Sequence, residues 1–227
     1  MITEDRIIFE DNHLIAVYKN SGDLVQVDDS DDTSLEIEVK KYLKHKYNKP
    51  GDAWLGVIHR IDRPVTGLVL FAKTDKALTR MNKLFASRDV KKVYFAITKD
   101  RPRIEEDKLI HWIKKDRETN KVRAYNKEVN ESKKAELSYK ILLNADGRTL
   151  LEVLPVTGRP HQIRVQLAAM GCPIEGDLKY GDNKPNRDKS ICLHSKSLEF
   201  IHPVKQEKVI LEAALPNNPY WNHFKNF

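Results

Sequence analysis

The stretch His59–Gly67, which reads HRIDRPVTG, places an aspartate between two arginines and joins two apolar runs. Residues 55–62 and 67–73 are predicted to form strands. The second contains LVLFA, an unbroken apolar run typical of a strand buried on both faces. Pro64 disfavours helical backbone at the residue before it. Asp62 is therefore expected where the first strand gives way to a loop.

In an extended segment, Ile58, Arg60 and Asp62 would share one face of the strand. A loop at a strand end exposes a side chain while the sheet fixes its base, and catalytic groups often occupy such positions. The pattern therefore indicates a candidate catalytic carboxylate at Asp62. The alternative is an ion pair between Asp62 and a neighbouring arginine that has only a structural role.

A second informative stretch, TGRPHQIRVQL, covers Thr157–Leu167. Pro160 and Gly171 are predicted to bracket a short helix. Its apolar stripe, at helical spacing, consists of Ile163, Leu167 and Met170. Arg164 lies on the adjacent face, where a guanidinium keeps a nearby carboxylate ionised. The alternative is an ordinary amphipathic helix whose polar side chains are solvated.

Elsewhere, apolar periodicity predicts a helix over Leu35–Tyr47 and an alternating strand over Val93–Thr98, in which Tyr94 faces opposite to its neighbours. Strands dominate, and the helices among them follow no βαβ order. This arrangement predicts an α+β fold around a mixed, mostly antiparallel sheet with flanking helices and loops. A length of 227 residues and the absence of repeats favour a single domain over 1–227.

The charge of the chain is unevenly distributed. Residues 1–38 contain two basic and eleven acidic side chains, a balance of −9, which leaves +16 for the remainder of a chain with net charge +7. A basic body attracts polyanions, and nucleic acid is the leading candidate partner. The alternative is a lysine-rich surface that is merely well solvated.

Several classes of protein are disfavoured by the sequence. The two cysteines, Cys172 and Cys192, have no metal-ligand spacing, the histidines form no HxH or HExxH pattern, and no phosphate-binding glycine loop is present. We therefore expect neither a metal nor a nucleotide cofactor. The hydrophobic share of 40% without a long apolar run or a leader-like start predicts a cytoplasmic protein outside the membrane.

Taken together, the segments resemble the RluA-type pseudouridine synthases. HRIDRPVTGLVLFAKT resembles their catalytic motif, KKVYFAI their tyrosine motif and TGRPHQIRVQL their GRTHQIRVHL motif. The segments PIEGDLKYG and LHSKSLEFIHP match two further motifs in the same order, and IIFEDNHLIAVYK is similar to the opening strand. The resemblance covers nearly the whole chain, and five ordered motifs are far more specific than any one of them.

The resemblance implies the pseudouridine synthase catalytic fold and isomerisation of uridine to pseudouridine in ribosomal or transfer RNA, without a cofactor or metal. It implies that Asp62 is the catalytic aspartate and that Tyr94 lies against a flipped uracil. It further implies that Arg164 pairs with Asp62, that Arg60 lines the site, and that Leu193 is a weaker candidate for the pocket wall. Extrusion of a stacked base costs a few kcal/mol, part of which an aromatic face recovers.

Several questions stay open at this point. The carboxylate attacks the base, attacks the sugar, or removes a sugar proton to form a glycal. The competing functions are a non-catalytic RNA-binding or RNA-folding protein and a hydrolase acting on a small anionic substrate. We expect a monomer, no S4-like module before Ile7, and an RNA-facing surface over 91–136, which contains fourteen basic and nine acidic residues.

The chain also departs from the usual motifs. The segment Lys19–Gly22 reads KNSG in place of KPAG, a change expected to lie far from the carboxylate, and Ile61 replaces a leucine. Pro64-Val65-Thr66 replaces a polar residue followed by a Thr/Ser-Ser pair, which predicts a stiffer loop after Asp62. Gln166 stands where histidine is frequent. None of these changes removes a proposed catalytic group.

Overall fold

The computed structural model describes residues 1–27, 32–116, 119 and 121–224. The chain forms two compact units, the first comprising 1–91 and 195–214 and the second comprising 92–194 and 215–227. Strands outnumber helices, and every strand pair with a described register is antiparallel. The α+β class with a mostly antiparallel sheet is therefore confirmed, whereas a single domain over 1–227 stays a prediction.

The strands in chain order are β1 (Ile7–Glu10), β2 (Leu14–Lys19), β3 (Gly56–Val57), β4 (Thr66–Ala72), β5 (Lys91–Thr98), β6 (Glu106–Lys115), β7 (Val122–Tyr125), β8 (Lys133–Ala145), β9 (Arg148–Pro155), β10 (Leu193–Ile201) and β11 (Lys208–Glu212). The helices are α1 (Leu35–Lys46), α2 (Asp75–Ser87), α3 (Gln162–Ala169) and α4 (Pro219–Asn222). Short 3-10 turns occur at Glu4–Arg6 and Leu178–Tyr180. The predicted helix over Leu35–Tyr47 is confirmed within one residue.

In the first unit the strand order is β1-β2-β4-β10-β11, with β3 beside β4. All seven residues of β4 are buried, as its unbroken apolar run predicts. Gly67 at its start has φ +111°, and a Cβ there would lie 2.3 Å from the carbonyl oxygen of Ser195. Glycine is therefore required at this position, because the backbone of Ser195 in β10 occupies the space that a side chain would need.

Helix α2 covers one face of this sheet. The hydroxyl of Thr74 accepts a hydrogen bond from the Ala77 amide and caps the helix at its N-terminus. At the other end Arg88 adopts the left-handed conformation that ends many helices. The buried side chains of Ala77 and Met81 join the core formed with β4, so burial of this apolar face fixes the helix in place.

In the second unit the strand order is β5-β9-β8-β6-β7. Helix α3 packs Val165 against Ile113, Val122 and Ala135 of three of these strands. The helix begins at Gln162 and not at Pro160, because the preceding His161 adopts a left-handed φ of 52°. None of the helices in the described ranges is long and apolar enough to cross a membrane.

The first unit contains a buried histidine, His202, whose ring is held by two backbone amides beside a carboxylate. His202 is fully buried, and its Nδ1 accepts hydrogen bonds from the amides of Val204 and Lys205. That nitrogen carries no proton, so Nε2 bears the hydrogen and lies 3.1 Å from Asp11 Oδ2. Burial lowers the pKa of His202 from its ordinary 6.5, against the opposing effect of Asp11.

We expect the free energy of unfolding to fall as the pH decreases below about 6.5. Because the folded-state pKa of His202 is lowered, the unfolded chain binds more protons in this range, and stability present above pH 6.5 is lost on acidification. Denaturant unfolding between pH 7.5 and 5 measures the slope. His202→Asn, whose amide oxygen can replace the Nδ1 acceptor, should flatten it, whereas exposed His45→Asn should not. Equal slopes for the two variants would refute this assignment.

Candidate active site

Asp62 lies in the loop between β3 and β4, half-buried between the buried Ile61 and the exposed Arg63. The predicted strand over 55–62 is wrong beyond Val57, where β3 ends. Nε2 of His59 accepts a hydrogen bond from the Leu70 amide at 3.0 Å. This β4 amide is therefore bound by a side chain and not by the backbone of the segment after β3. The segment leaves the sheet there, and the expected strand face shared by Arg60 and Asp62 does not form.

A tight turn fixes the backbone at the aspartate. The Val65 amide donates to the Asp62 carbonyl oxygen at 3.0 Å, which closes a four-residue turn with Pro64 in its centre. The expectation that Asp62 lies where the strand gives way to a loop, with the proline ending the strand just past the carboxylate, is therefore wrong, because β3 ends at Val57. Asp62 is thus held at the first position of a turn between two buried side chains, Ile61 and Val65.

Lys19, at the end of β2, holds this turn from within the protein. Its side chain is fully buried, and Nζ donates to the carbonyl oxygens of Asn20 at 3.0 Å, Arg63 at 2.9 Å and Val65 at 2.8 Å. Three acceptors around one nitrogen use all three hydrogens of an ammonium. Burial lowers the pKa of Lys19 to about 7, while the carboxylates of Asp23 and Asp62 oppose the shift.

The loop after Lys19 is bound to the same turn. The Gly22 amide donates to the Arg63 carbonyl at 2.9 Å, the Ser21 hydroxyl donates to the Pro64 carbonyl at 3.3 Å, and Arg63 Nε donates to the Gly22 carbonyl at 3.1 Å. The expectation that the KNSG change lies far from the carboxylate is therefore wrong, because Ser21 and Gly22 contact the turn that follows Asp62. This segment packs against the turn that holds Asp62 and is hydrogen-bonded to it.

Replacement of Lys19 by Met is expected to lower kcat about 10- to 100-fold with little change in KM. Methionine fills a similar volume but leaves the Asn20 and Val65 carbonyls without this donor, and a displacement of about 1 Å at a catalytic group can cost this much. Kinetics of pseudouridine formation, together with thermal unfolding, measure both effects. The exposed Lys41→Met is the control. Unchanged kcat in a destabilised Lys19→Met protein would show that the lysine serves stability alone.

Arg164 is the best-anchored candidate residue in the second unit. Its Nε and Nη2 bind Asp177 Oδ2 and Oδ1 at 2.7 and 2.9 Å, a bidentate pair in which the side chains are only 7% and 1% exposed. The guanidinium also lies over the Tyr180 ring, 5.0 Å from its centroid. Asp177 and stacking on Tyr180 therefore fix both the position and the plane of the guanidinium.

Tyr180 connects this arginine to the start of α3. Its hydroxyl oxygen accepts the Val122 amide at 3.1 Å and lies 2.6 Å from His161 Nδ1. The donor in this second hydrogen bond depends on the tautomer of His161. The left-handed backbone at His161 thus places its ring against the tyrosine that supports Arg164.

Lys19, Asp177 and Tyr180 had no predicted role. The last two belong to the quoted segment PIEGDLKYG, so the signal that could have found them was the motif itself. The pairing of Arg164 with Asp62 stays a prediction. Asp177 is one carboxylate to which the guanidinium is bound.

The other candidate residues occupy three different settings. Tyr94 in β5 is half-buried and pairs with Val153 of β9. Leu193 begins β10 and is buried, whereas Arg60 is exposed in the loop after β3. These settings are compatible with a stacking surface at Tyr94, a pocket wall at Leu193 and a site-lining role for Arg60. The three roles stay predictions. No three His, Cys, Asp or Glu side chains in the described ranges are arranged to hold a metal ion.

Comparison with known proteins gives a consistent result. The sequence pattern of the RNA pseudouridylate synthase family matches residues 13–169. Ribosomal large subunit pseudouridine synthase C of Rickettsia bellii is 32% identical over 224 residues, 97% of this chain and 71% of that protein. The tRNA pseudouridine synthase C of Vibrio parahaemolyticus is 28% identical, over 93% of this chain and 91% of that protein.

The fold is shared with solved structures. Human RNA pseudouridylate synthase domain containing 4 superposes with a TM-score of 0.78 at 23% identity, over 94% of this chain and 89% of that chain. Human RNA pseudouridylate synthase domain containing 1 gives 0.73 at 21% identity. Sequence and fold thus define an RNA-modifying isomerase. The chain belongs to the RNA pseudouridylate synthase family, and its resemblance to the RluA-type members is confirmed.

Proposed function

We propose that this protein converts specific uridines of ribosomal RNA to pseudouridine, with Asp62 as the catalytic residue and no cofactor. The observation that carries the assignment is the turn at Asp62, which the buried Lys19 ammonium binds through the Arg63 and Val65 carbonyls. A buried charge is costly unless its hydrogen bonds are satisfied. Lys19 is buried in order to bind the turn that carries Asp62. We infer that the position of this carboxylate is important for catalysis.

The reaction is an isomerisation, so all atoms of uridine are retained. The bond between N1 and the ribose C1′ breaks, the uracil turns, and C5 bonds to C1′. C5 then loses its hydrogen as a proton, and N1 gains one. An ionised Asp62 serves each of the three routes left open above, as nucleophile or as base.

The roles proposed for the remaining residues follow from their settings. Tyr94 supplies a stacking surface for the extruded uracil, and Leu193 contributes an apolar wall. Arg164, fixed by Asp177, supplies a positioned positive charge that favours an ionised carboxylate. Arg60 binds the RNA around the extruded nucleotide. We further propose a single catalytic domain that acts as a cytoplasmic monomer.

Binding of RNA is supported by the charges on strands β6 to β8. Several exposed cations there form no ion pair with another described residue: Lys115, Lys121, Arg123, Lys127 and Lys133. Others form ion pairs within the protein, for example Lys108 and Lys134, which share the carboxylate of Glu136. The proposed RNA-facing surface over 91–136 thus depends on the first group; residues 117, 118 and 120 of this range lie outside the described residues.

Ribosomal RNA is proposed over transfer RNA because seven of the eight relatives considered are named as ribosomal large subunit pseudouridine synthase C. Incubation of the protein with ribosomal and transfer RNA transcripts, followed by mass spectrometry of the digested nucleosides, tests this choice. Pseudouridine should form in a ribosomal transcript. Pseudouridine formed only in the transfer RNA transcripts would show that transfer RNA, and not ribosomal RNA, is the substrate. Tight RNA binding with no product at enzyme excess would favour a non-catalytic RNA-binding protein.

A further inference from the structure

The second unit contains a cleft of about 650 Å³ beside Arg164. One wall is the 3-10 turn at Leu178–Tyr180, which carries the exposed Leu178, and the other is the segment 185–191. The proposed function uses Arg164 but assigns nothing to the opposite wall. The charges and the construction of that wall indicate what the cleft binds.

The segment that forms this wall is rigidly built. Asn186 is only 4% exposed, and its Nδ2 lies 3.4 Å from both Ser190 Oγ and Cys192 Sγ. The Lys189 amide donates to the Asn186 carbonyl at 3.0 Å, which closes a turn. A Cβ on Gly176 would lie 2.6 Å from Asn186 Nδ2, so the turn packs directly on the backbone next to Asp177.

This turn presents two positive charges to the cleft. Arg187 and Lys189 both line it, both are exposed, and neither forms an ion pair with another described residue. The acidic residue between them, Asp188, is not among the residues that line the cleft, and its carboxylate accepts hydrogen bonds from the amide and hydroxyl of Ser190. The carboxylate inside the cleft, Asp177, is bound by Arg164. Among the described residues, the charged side chains that line the cleft therefore give it a net positive surface.

We propose that this cleft binds the phosphodiester backbone of the RNA strand beside the target uridine, with Arg187 and Lys189 contacting phosphates. Leu178, 55% exposed on the facing wall, packs against the ribose or base of the same nucleotides. Phosphate contacts fix the register of a nucleic acid while bases are read elsewhere. Arg187 and Lys189 are thus positioning residues for the strand, and this inference rests on the proposed function.

The double variant Arg187→Gln/Lys189→Gln tests the inference. Its matched control is Lys41→Gln/Lys49→Gln, which removes the same charge from two exposed lysines in and after α1. We expect the test variant to bind the substrate transcript about 10-fold more weakly than the control near 150 mM salt. The slope of log affinity against log salt should be shallower by about 1.4, because each phosphate contact on a single strand contributes about 0.7.

In pseudouridine formation the loss should appear mainly as a raised KM, with a smaller effect on kcat, because neither residue is assigned to the reacting atoms. Equal affinity and equal salt slope for the test and control variants would overturn the inference. If the wild-type protein bound the transcript but formed no pseudouridine, the proposed function would be refuted instead. Binding of RNA in the cleft would still be tested by the affinities of the test and control variants. A variant with lost turnover and unchanged affinity would likewise contradict the assignment.

Discussion

Asp62→Asn is expected to lower the rate of pseudouridine formation by at least about 10³-fold, with RNA affinity changed by less than about threefold. The amide has nearly the shape of the carboxylate and keeps the turn intact, but it is neither a nucleophile nor a base, and removal of such a group costs this order of rate. Single-turnover kinetics on a labelled transcript measure the chemical step, and filter binding measures the affinity.

The control is Asp52→Asn, which removes a carboxylate that is 95% exposed in the same unit. It should be fully active. Thermal unfolding of both variants excludes a folding defect. If Asp62→Asn retained turnover within about tenfold of wild type, another residue would carry the reaction. If it lost RNA binding in parallel with turnover, Asp62 would have a role in binding.

The second large effect is expected at the buried pair of Arg164 and Asp177. Asp177→Asn should lower the free energy of unfolding by about 3–5 kcal/mol, because it leaves the guanidinium charge buried without its counterion. Activity should fall with it, since Asp177 holds the orientation of Arg164. Chemical denaturation and transcript assays measure the two effects.

A double variant separates stability from function at this pair. In Arg164→Met/Asp177→Leu the charges are replaced by apolar side chains of similar volume, a change that is often neutral or stabilising for a buried ion pair. We expect stability near that of wild type and activity reduced at least about 10²-fold. A stable and fully active double variant would show that the pair is structural and that Arg164 has no part in the reaction.

The parts of the fold that could be predicted were those encoded by local pattern. The unbroken apolar run of β4 predicted that the strand is buried. The periodic apolar residues of α1 predicted the bounds of the helix within one residue. Alternation placed Tyr94 opposite its buried neighbour Phe95. These features depend on side chains within a few positions of each other, so the sequence alone contains the information.

The features that were missed depend on contacts between distant residues. The strand before Asp62 ended early because a histidine ring, and not a backbone carbonyl, accepts the Leu70 amide. A lysine is usually solvated, so nothing in its own neighbourhood indicated that Lys19 is fully buried against a turn 44 residues away. The ion pair between Arg164 and Asp177 could not be predicted without knowing the path of the chain between these two residues.

The central hypothesis is that this chain forms pseudouridine in RNA through Asp62. The most direct measurement maps pseudouridine at single-nucleotide resolution in total RNA from cells lacking the gene. These cells are then complemented with the wild-type gene or with Asp62→Asn expressed at equal level. We expect that a defined ribosomal position lacks pseudouridine in the deletion cells, regains it with the wild-type gene and fails to regain it with the variant. An unchanged map, or restoration by Asp62→Asn, would contradict this hypothesis.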